Sequence, residues 1–149
     1  MSVDLKLMRK VDINRCAEIH KSVYRGDFED QTFDGNKFSL KMNYVWYFER
    51  FIVDEDKYAF CILKDENVVG YLVGLLIPSM SGSYNFYLDS MVIDSQYHKN
   101  GYGSKAIGIL QNMIPDVEII WSCTQPNIPA YKMYEKHGFF DTDMHMLIH

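Results

Sequence analysis

The feature that most constrains this chain is a strand, a glycine-bearing loop and a helix in direct succession. Residues 84–93 have the composition of a central strand, and an apolar helix is expected over residues 101–113, stopped by Pro115. Between them, within the loop 96–104, runs His98-Lys99-Asn100-Gly101-Tyr102-Gly103-Ser104. Its two glycines permit the close backbone approach and unusual dihedrals that a phosphate-wrapping turn requires. The N–H groups from Asn100 to Lys105 would point at an anion, and the positive end of the helix adds a favourable field. Lys99, His98 and the Ser104 hydroxyl can supplement those donors. Taken alone, the glycines describe a structural turn as well as they describe a phosphate site.

Gly101-Tyr102-Gly103-Ser104-Lys105-Ala106 also satisfies a short dinucleotide fingerprint, so a dehydrogenase is a rival reading. That rival predicts an acidic ribose ligand near the end of the next strand. The relevant end is Trp121-Ser122-Cys123, without an acid, and fewer than fifty residues remain after Gly103, too few for a doubly wound half. A Walker A lysine pattern is absent as well.

The other segments set the fold class. Residues 3–8 read as a strand, and a helix runs from Asp12, a candidate cap, to about Tyr24, with Ile13, Cys16, Ala17 and His20 as its inward stripe. Residues 26–36 read as a loop or weakly helical excursion, and 38–52 as a second helix. Residues 57–63 and 68–77, split by Lys64-Asp65-Glu66-Asn67, form an expected antiparallel hairpin, and Pro78 and Gly82 mark the next break. A strand over 117–123, a short helix within 126–136 and a last strand over 139–148 complete the chain. This order predicts an α+β fold, a single 149-residue domain whose central sheet is mixed, mostly antiparallel and flanked by helices.

Composition narrows the function. Fifteen Lys and Arg against twenty Asp and Glu leave a net charge of −5, which disfavours a general nucleic-acid binder while leaving room for a small anion site. Cys16, Cys61 and Cys123 are odd in number and contain no CxxC pair, so neither a disulfide framework nor a zinc-thiolate cluster is indicated. Asp143, His145 and His149 share strand parity, yet nothing beside them suggests a metal site, and no metal is expected. No secretory pattern opens the chain and no stretch is apolar enough to span a bilayer, so the expectation is a cytoplasmic protein without a membrane partner.

With the strand YLDSMVI (residues 87–93) and the loop HKNGYG (98–103), the chain resembles the GNAT superfamily of N-acetyltransferases, whose strand, R/Q-x-x-G-x-G/A loop and following helix bind acetyl-CoA. His98 stands where that pattern has Arg or Gln, which leaves the backbone contacts intact and puts the side-chain contact in doubt. The resemblance continues in Asn127-Ile128-Pro129-Ala130-Tyr131-Lys132-Met133-Tyr134-Glu135-Lys136-His137-Gly138-Phe139, which is similar to the family element N-x-x-A-x-x-x-Y-x-x-x-G-F. The two motifs together are much more specific than either alone.

The resemblance implies acetyl transfer from acetyl-CoA to an amine, with direct attack in a ternary complex. It implies that the backbone of Met91, Val92 and Ile93 pairs with the cofactor arm, that the loop from His98 through Lys99, Asn100, Gly101, Tyr102 and Gly103 to Ser104 holds the pyrophosphate, and that Asn127 lies near the arm. Ala130 lies four residues before Tyr134 on one helical face, where a small side chain admits the cofactor. Tyr134 is the candidate general acid, because a phenol near pKa 10 can protonate a departing thiolate near 8.5. Asp89 occupies a position that is often acidic in the family; direct abstraction from an amine near pKa 10 would be poor, so charge binding or a water relay is the better role.

Tyr24, Phe28, Trp46, Tyr47, Glu49, Asp89 and Cys123 are candidates for an acceptor pocket, combining aromatic faces with acids for a cation. Polyamines and other small amines fit that chemistry, and a peptide amine stays open. A CoA-sensing domain without turnover is the alternative of a different class. A family-like homodimer is compatible with the chain, with no interface to name.

Overall fold

The computed structural model describes residues 2–28, 31–33, 36–38, 42–114, 117–122, 129–140 and 142. Its elements are β1 (Val3–Leu7), α1 (Ile13–Val23), β2 (Gln31–Phe33), β3 (Asn36–Phe38), α2 (Tyr44–Val53), β4 (Lys57–Lys64), β5 (Asn67–Pro78), β6 (Tyr84–Ile93), α3 (Tyr102–Met113), β7 (Val117–Ser122) and α4 (Pro129–Lys136). Five strands form one sheet in the order β1-β4-β5-β6-β7, antiparallel except where β7 runs parallel to β6. This is the expected mixed, mostly antiparallel α+β fold. Residues 141 and 143–149, and with them most of the expected last strand and Asp143, His145 and His149, lie outside the described residues.

The period-two alternation of the central strands gives the sheet two apolar faces. In β4, Ala59 and Cys61 join the cluster under α1 and α2, with Ile19, Phe48 and Val73 among its members. Phe60 and Ile62 point the other way, into a cluster completed by Leu88, Ile107, Leu110 and Tyr134 under α3 and α4. Burial of each large aliphatic or aromatic side chain stabilises the fold by about 1.5–3 kcal/mol, so both layers hold the sheet between helices.

Three boundaries differ from the sequence expectation. Asp12 precedes α1 but does not cap it: its carboxylate turns back and accepts from the Arg9 N–H at 2.9 Å, closing the tight turn before the helix. The expected helix over 38–52 begins only at Tyr44, because Asn43 supplies the side-chain acceptor that the first turn needs, receiving the Trp46 N–H at 3.2 Å. Upstream of it, Asn36–Phe38 pairs antiparallel with Gln31–Phe33, so part of the expected 26–36 loop is a small hairpin. The start of that stretch lies in a short 3-10 turn, Arg25–Phe28, as the weakly helical alternative expected.

An irregularity in β6 positions the site. Val73 faces Ser90 and Gly74 faces Leu88, so Asp89 is an extra residue on β6. Such a bulge shifts the side-chain alternation by one. Phe86 and Leu88 face α3 before it and Met91 and Ile93 after it, while Val92 belongs to the α1 and α2 side. β7 accompanies β6 only from Tyr84 to Leu88, where Leu88 faces Ser122. Past that point, among the described residues, no strand pairs with β6 on its β7 side.

Candidate active site

The loop after β6 is organised by its own polar side chains. Asp94 caps the short turn at Ser95–Tyr97 by accepting the Gln96 N–H at 3.1 Å. The same carboxylate, buried to 2% exposure, accepts from the Arg15 guanidinium of α1 at 2.7 Å. Asn100 donates to the carbonyls of Tyr97 and His98 at 3.1 and 3.3 Å. Lys99 and Gly101 adopt left-handed dihedrals, φ 67° and 76°. At Gly101 that conformation, which disfavours any side chain, redirects the chain into α3. The N–H groups of the first turn therefore emerge together at the positive end of a twelve-residue helix. A Cβ at Gly103 would lie 3.1 Å from Met133 Sδ, so glycine lets α3 and α4 approach closely.

Two side chains expected to reach toward an anion have protein partners. The imidazole of His98 folds back and donates from Nε2 to the Ile93 carbonyl at 2.7 Å, tying the loop to the end of β6. Ser104 Oγ lies 2.5 Å from His137 Nε2, beyond the end of α4. Lys99, Lys105 and Asn100 are exposed. The anion-binding capacity of the loop thus resides mainly in backbone donors.

At the other end of the β6 edge, which no strand covers among the described residues, stands Tyr134. It is 7% exposed, and its hydroxyl is hydrogen-bonded to Ser122, the last residue of β7 and the one facing Leu88. The phenol is pushed up to about 12, chiefly by burial, with the Ser122 hydrogen bond opposing the rise and Tyr24 adding to it. The ring is fixed by the end of α4: Gly138 takes φ 88°, its N–H bonds the Glu135 carbonyl, and the Phe139 N–H bonds the Tyr134 carbonyl, both at 3.0 Å. Phe139 then packs on Tyr134 with ring centroids 5.1 Å apart. This is a Schellman ending with its usual apolar contact. Ala130 belongs to the same helix; Asn127 and Cys123 lie outside the described residues.

The expected acceptor residues separate into those that converge and those that do not. Tyr47 donates to the exposed carboxylate of Asp89 at the bulge, and burial first, then the Asp89 charge, raises the Tyr47 phenol and keeps it protonated. Tyr24 and Phe28 pack around His20, at 5.4 and 6.1 Å between ring centroids. Trp46 is 58% exposed on the outer side of α2 with the Arg50 guanidinium 5.5 Å from its ring, and Glu49 lies 4.0 Å from Arg50. Those two are not brought beside Asp89.

Sequence reading missed a polar chain beneath the bulge. His20 Nε2 lies 2.6 Å from Asp27 Oδ2, His20 Nδ1 2.5 Å from Tyr71 Oη, and Tyr71 Oη 2.7 Å from Ser90 Oγ. The one available signal was a histidine on an otherwise apolar helical stripe; its partners come from three other elements. Among the described residues, no group of three His, Cys, Asp or Glu is arranged to hold a metal, and no helix is long and apolar enough to cross a membrane.

A family model described as the acetyltransferase (GNAT) family matches residues 15–139. A search of curated proteins finds no match. Among solved structures, a transcriptional regulator from Bacillus halodurans C-125 is similar with a TM-score of 0.76 at 19% identity, over 99% of both chains. A possible acetyltransferase from Clostridium difficile 630 reaches 0.76 at 14% identity, over 99% of this chain and 96% of that one. A predicted acetyltransferase with acetyl-CoA from Clostridium acetobutylicum reaches 0.71 at 14% identity, over the same shares.

Proposed function

Since the chain belongs to the acetyltransferase (GNAT) family, we propose that it transfers the acetyl group of acetyl-CoA to the nitrogen of a small primary amine, polyamines included. The observation that carries this reading is the edge of β6 from Asp89 to Ile93, flanked by the Tyr134 hydroxyl at one end and the open first turn of α3 at the other. Five extended residues span about 16 Å, a length suited to an arm bearing two amides laid alongside as an added strand.

On this reading the pyrophosphate rests on the backbone donors from Asn100 to Ser104, the Lys105 N–H being taken by the Gly101 carbonyl at 3.1 Å, and the amides of the cofactor arm pair with Met91, Val92 and Ile93. The thioester then lies near Tyr134, with an N–H near Met91 or Val92 directed at the oxygen that becomes negative in the tetrahedral intermediate. The amine approaches from the α1 and α2 side, where Asp89 and its aromatic neighbour Tyr47 favour a cation.

Tyr134 serves best as a hydrogen-bond donor to the leaving thiolate. With its phenol near 12, complete proton transfer to a thiolate of pKa about 8.5 is uphill by roughly 5 kcal/mol at 1.36 kcal/mol per unit. Donating without full transfer still stabilises the developing charge, and the buried hydroxyl stays protonated throughout the neutral range. No covalent acyl-enzyme is needed, because holding both reactants together supplies most of the advantage.

The test is to incubate the protein with acetyl-CoA and a broad amine panel, following CoA thiol release and detecting acetylated amines by mass spectrometry. Release with at least one small amine is expected. Acetyl-CoA binding without turnover on any amine would instead identify a CoA sensor, and preferential NAD(H) binding in a parallel calorimetric comparison would overturn the cofactor assignment.

A further inference from the structure

The bulge at Asp89 places two neighbouring β6 side chains toward α1 and α2: Asp89 against Tyr47 of α2, and Ser90 against Tyr71 of β5. Ser90 is partly exposed, whereas everything behind it recedes into the core. Tyr71 is fully buried and His20 is 7% exposed. Asp27, in the 3-10 turn after α1, returns to the surface with its side chain 39% exposed. A continuous line of hydrogen bonds therefore crosses the protein from Ser90 to Asp27.

The direction of that line follows from the donors and acceptors available. An ionised Asp27 only accepts, so His20 Nε2 carries the proton in that contact. In the neutral ring Nδ1 is then the acceptor, and Tyr71 must donate to it. With its proton so used, the Tyr71 oxygen receives the Ser90 hydroxyl proton. Every donor in the line points away from Ser90, leaving the Ser90 oxygen to accept from whatever stands at the bulge. Burial, opposed by the Ser90 contact, raises the Tyr71 phenol and keeps it a neutral donor. The groups facing His20 are Asp27 and Phe28 from the turn, Tyr24 from the end of α1, and Tyr71 from β5.

We propose that Ser90, Tyr71, His20 and Asp27 form a relay that removes the proton from the acceptor ammonium before it attacks the thioester. The proposal rests on the acetyl-transfer reading and supplies a base to which that reading gave no residue; Asp89 holds the cation beside it. An N–H bond of the ammonium breaks, its electron pair stays on nitrogen, and the proton joins Ser90 Oγ. The Ser90 proton passes to Tyr71 and the Tyr71 proton to His20 Nδ1, giving an imidazolium stabilised by Asp27. After product leaves, that proton returns along the line to solvent and is the one the reaction releases overall. The second proton lost from nitrogen balances the thiolate, which departs as CoA thiol. An imidazole, with one nitrogen to accept a proton and another to donate, suits this task better than a carboxylate that only accepts.

The experiment compares two acceptors of similar shape, a basic alkylamine turned over by the wild type and its β-trifluorinated analogue, which is already neutral at the assay pH. In Ser90→Ala and Tyr71→Phe, kcat/KM for the basic amine is expected to fall roughly 10- to 100-fold, and at least tenfold further than for the fluorinated one. Raising the pH should restore the basic amine's rate in the variants as neutral amine appears. Acetyl-CoA binding measured by calorimetry reports that the fold persists; if Tyr71→Phe fails to fold, Ser90→Ala and Asp27→Asn at the partly exposed ends carry the test. Equal losses for both amines, or no loss, with the wild type active, overturn the relay alone. A wild type that releases no CoA with any amine overturns acetyl transfer and the relay with it.

Discussion

The two faces of the sheet are constructed from different materials. Under α3 and α4 the polar functions assigned to the site belong mainly to the backbone, in the first turn of α3 and the stretch of β6 that no described strand covers, joined by the Tyr134 hydroxyl in an apolar cluster. Under α1 and α2 they belong to side chains, with the Ser90, Tyr71, His20 and Asp27 line and the Tyr47 and Asp89 pair threaded through aromatic packing. A backbone surface suits a cofactor that is the same in every turnover, since N–H groups cost little to preorganise. Side chains suit selection of a particular acceptor and the handling of its proton. Arg15 joins the faces, reaching from α1 to the buried Asp94 that organises the loop.

If the faces divide the work in this way, variants should separate cleanly. The largest effect is expected from Tyr134→Phe, which should slow acetyl transfer about 100-fold while leaving acetyl-CoA affinity close to wild type. In the wild type, the alkaline limb of kcat/KM due to Tyr134 should lie near pH 12, because a raised phenol stays protonated through about pH 10, where a free one titrates. A limb between about pH 8 and 10 that disappears in Tyr134→Phe would show that burial does not govern this hydroxyl.

Arg15→Leu comes next and should disturb both faces, because it leaves the buried Asp94 carboxylate without its charge partner. Fully buried pairs lose about 3–5 kcal/mol on such a change; with Arg15 35% exposed, about 2 kcal/mol is expected in urea unfolding. A loss confined to acceptor kinetics, with stability intact, would break the idea that this pair couples helix and loop.

Gly101→Ala should cost about 1–2 kcal/mol through the left-handed dihedral, so acetyl-CoA affinity by calorimetry should weaken about tenfold with little change in the acceptor KM. Asp89→Asn should do the reverse on a smaller scale: an exposed carboxylate contributes up to about 1 kcal/mol, so KM for a cationic acceptor should rise no more than about fivefold while acetyl-CoA binding holds. Interchange of these two signatures would mean that the faces have been assigned wrongly.

The side that the proposal gives to the cofactor has a local structure legible in the sequence, because its pieces are adjacent in the chain. A strand, two glycines and a helix start are local properties; the part of Phe139 in the helix ending that fixes Tyr134 came only with the structure. Even there the detail came from the structure: Ser104 meets His137, remote in the chain, and His98 turns back to the nearby Ile93 carbonyl. The side that the proposal gives to the acceptor could be read only as a list of aromatic and acidic residues. Trp46 and Tyr47 are neighbours in sequence with different surroundings on α2, one exposed with Arg50 and one bonded to Asp89.

By itself the sequence determined the longer elements, the mixed sheet, the glycine-bearing turn after β6 and the family, because periodicity, glycine placement and helix ends act over a few residues. Only the tertiary structure decided where β6 bulges, which places Asp89 and Ser90 on the same side. It alone connected Ser90 to Asp27, since hydrogen bonds spanning 19, 51 and 7 residues of chain depend on how sheet and helices pack. That packing is a balance over the whole core, and no local pattern records it.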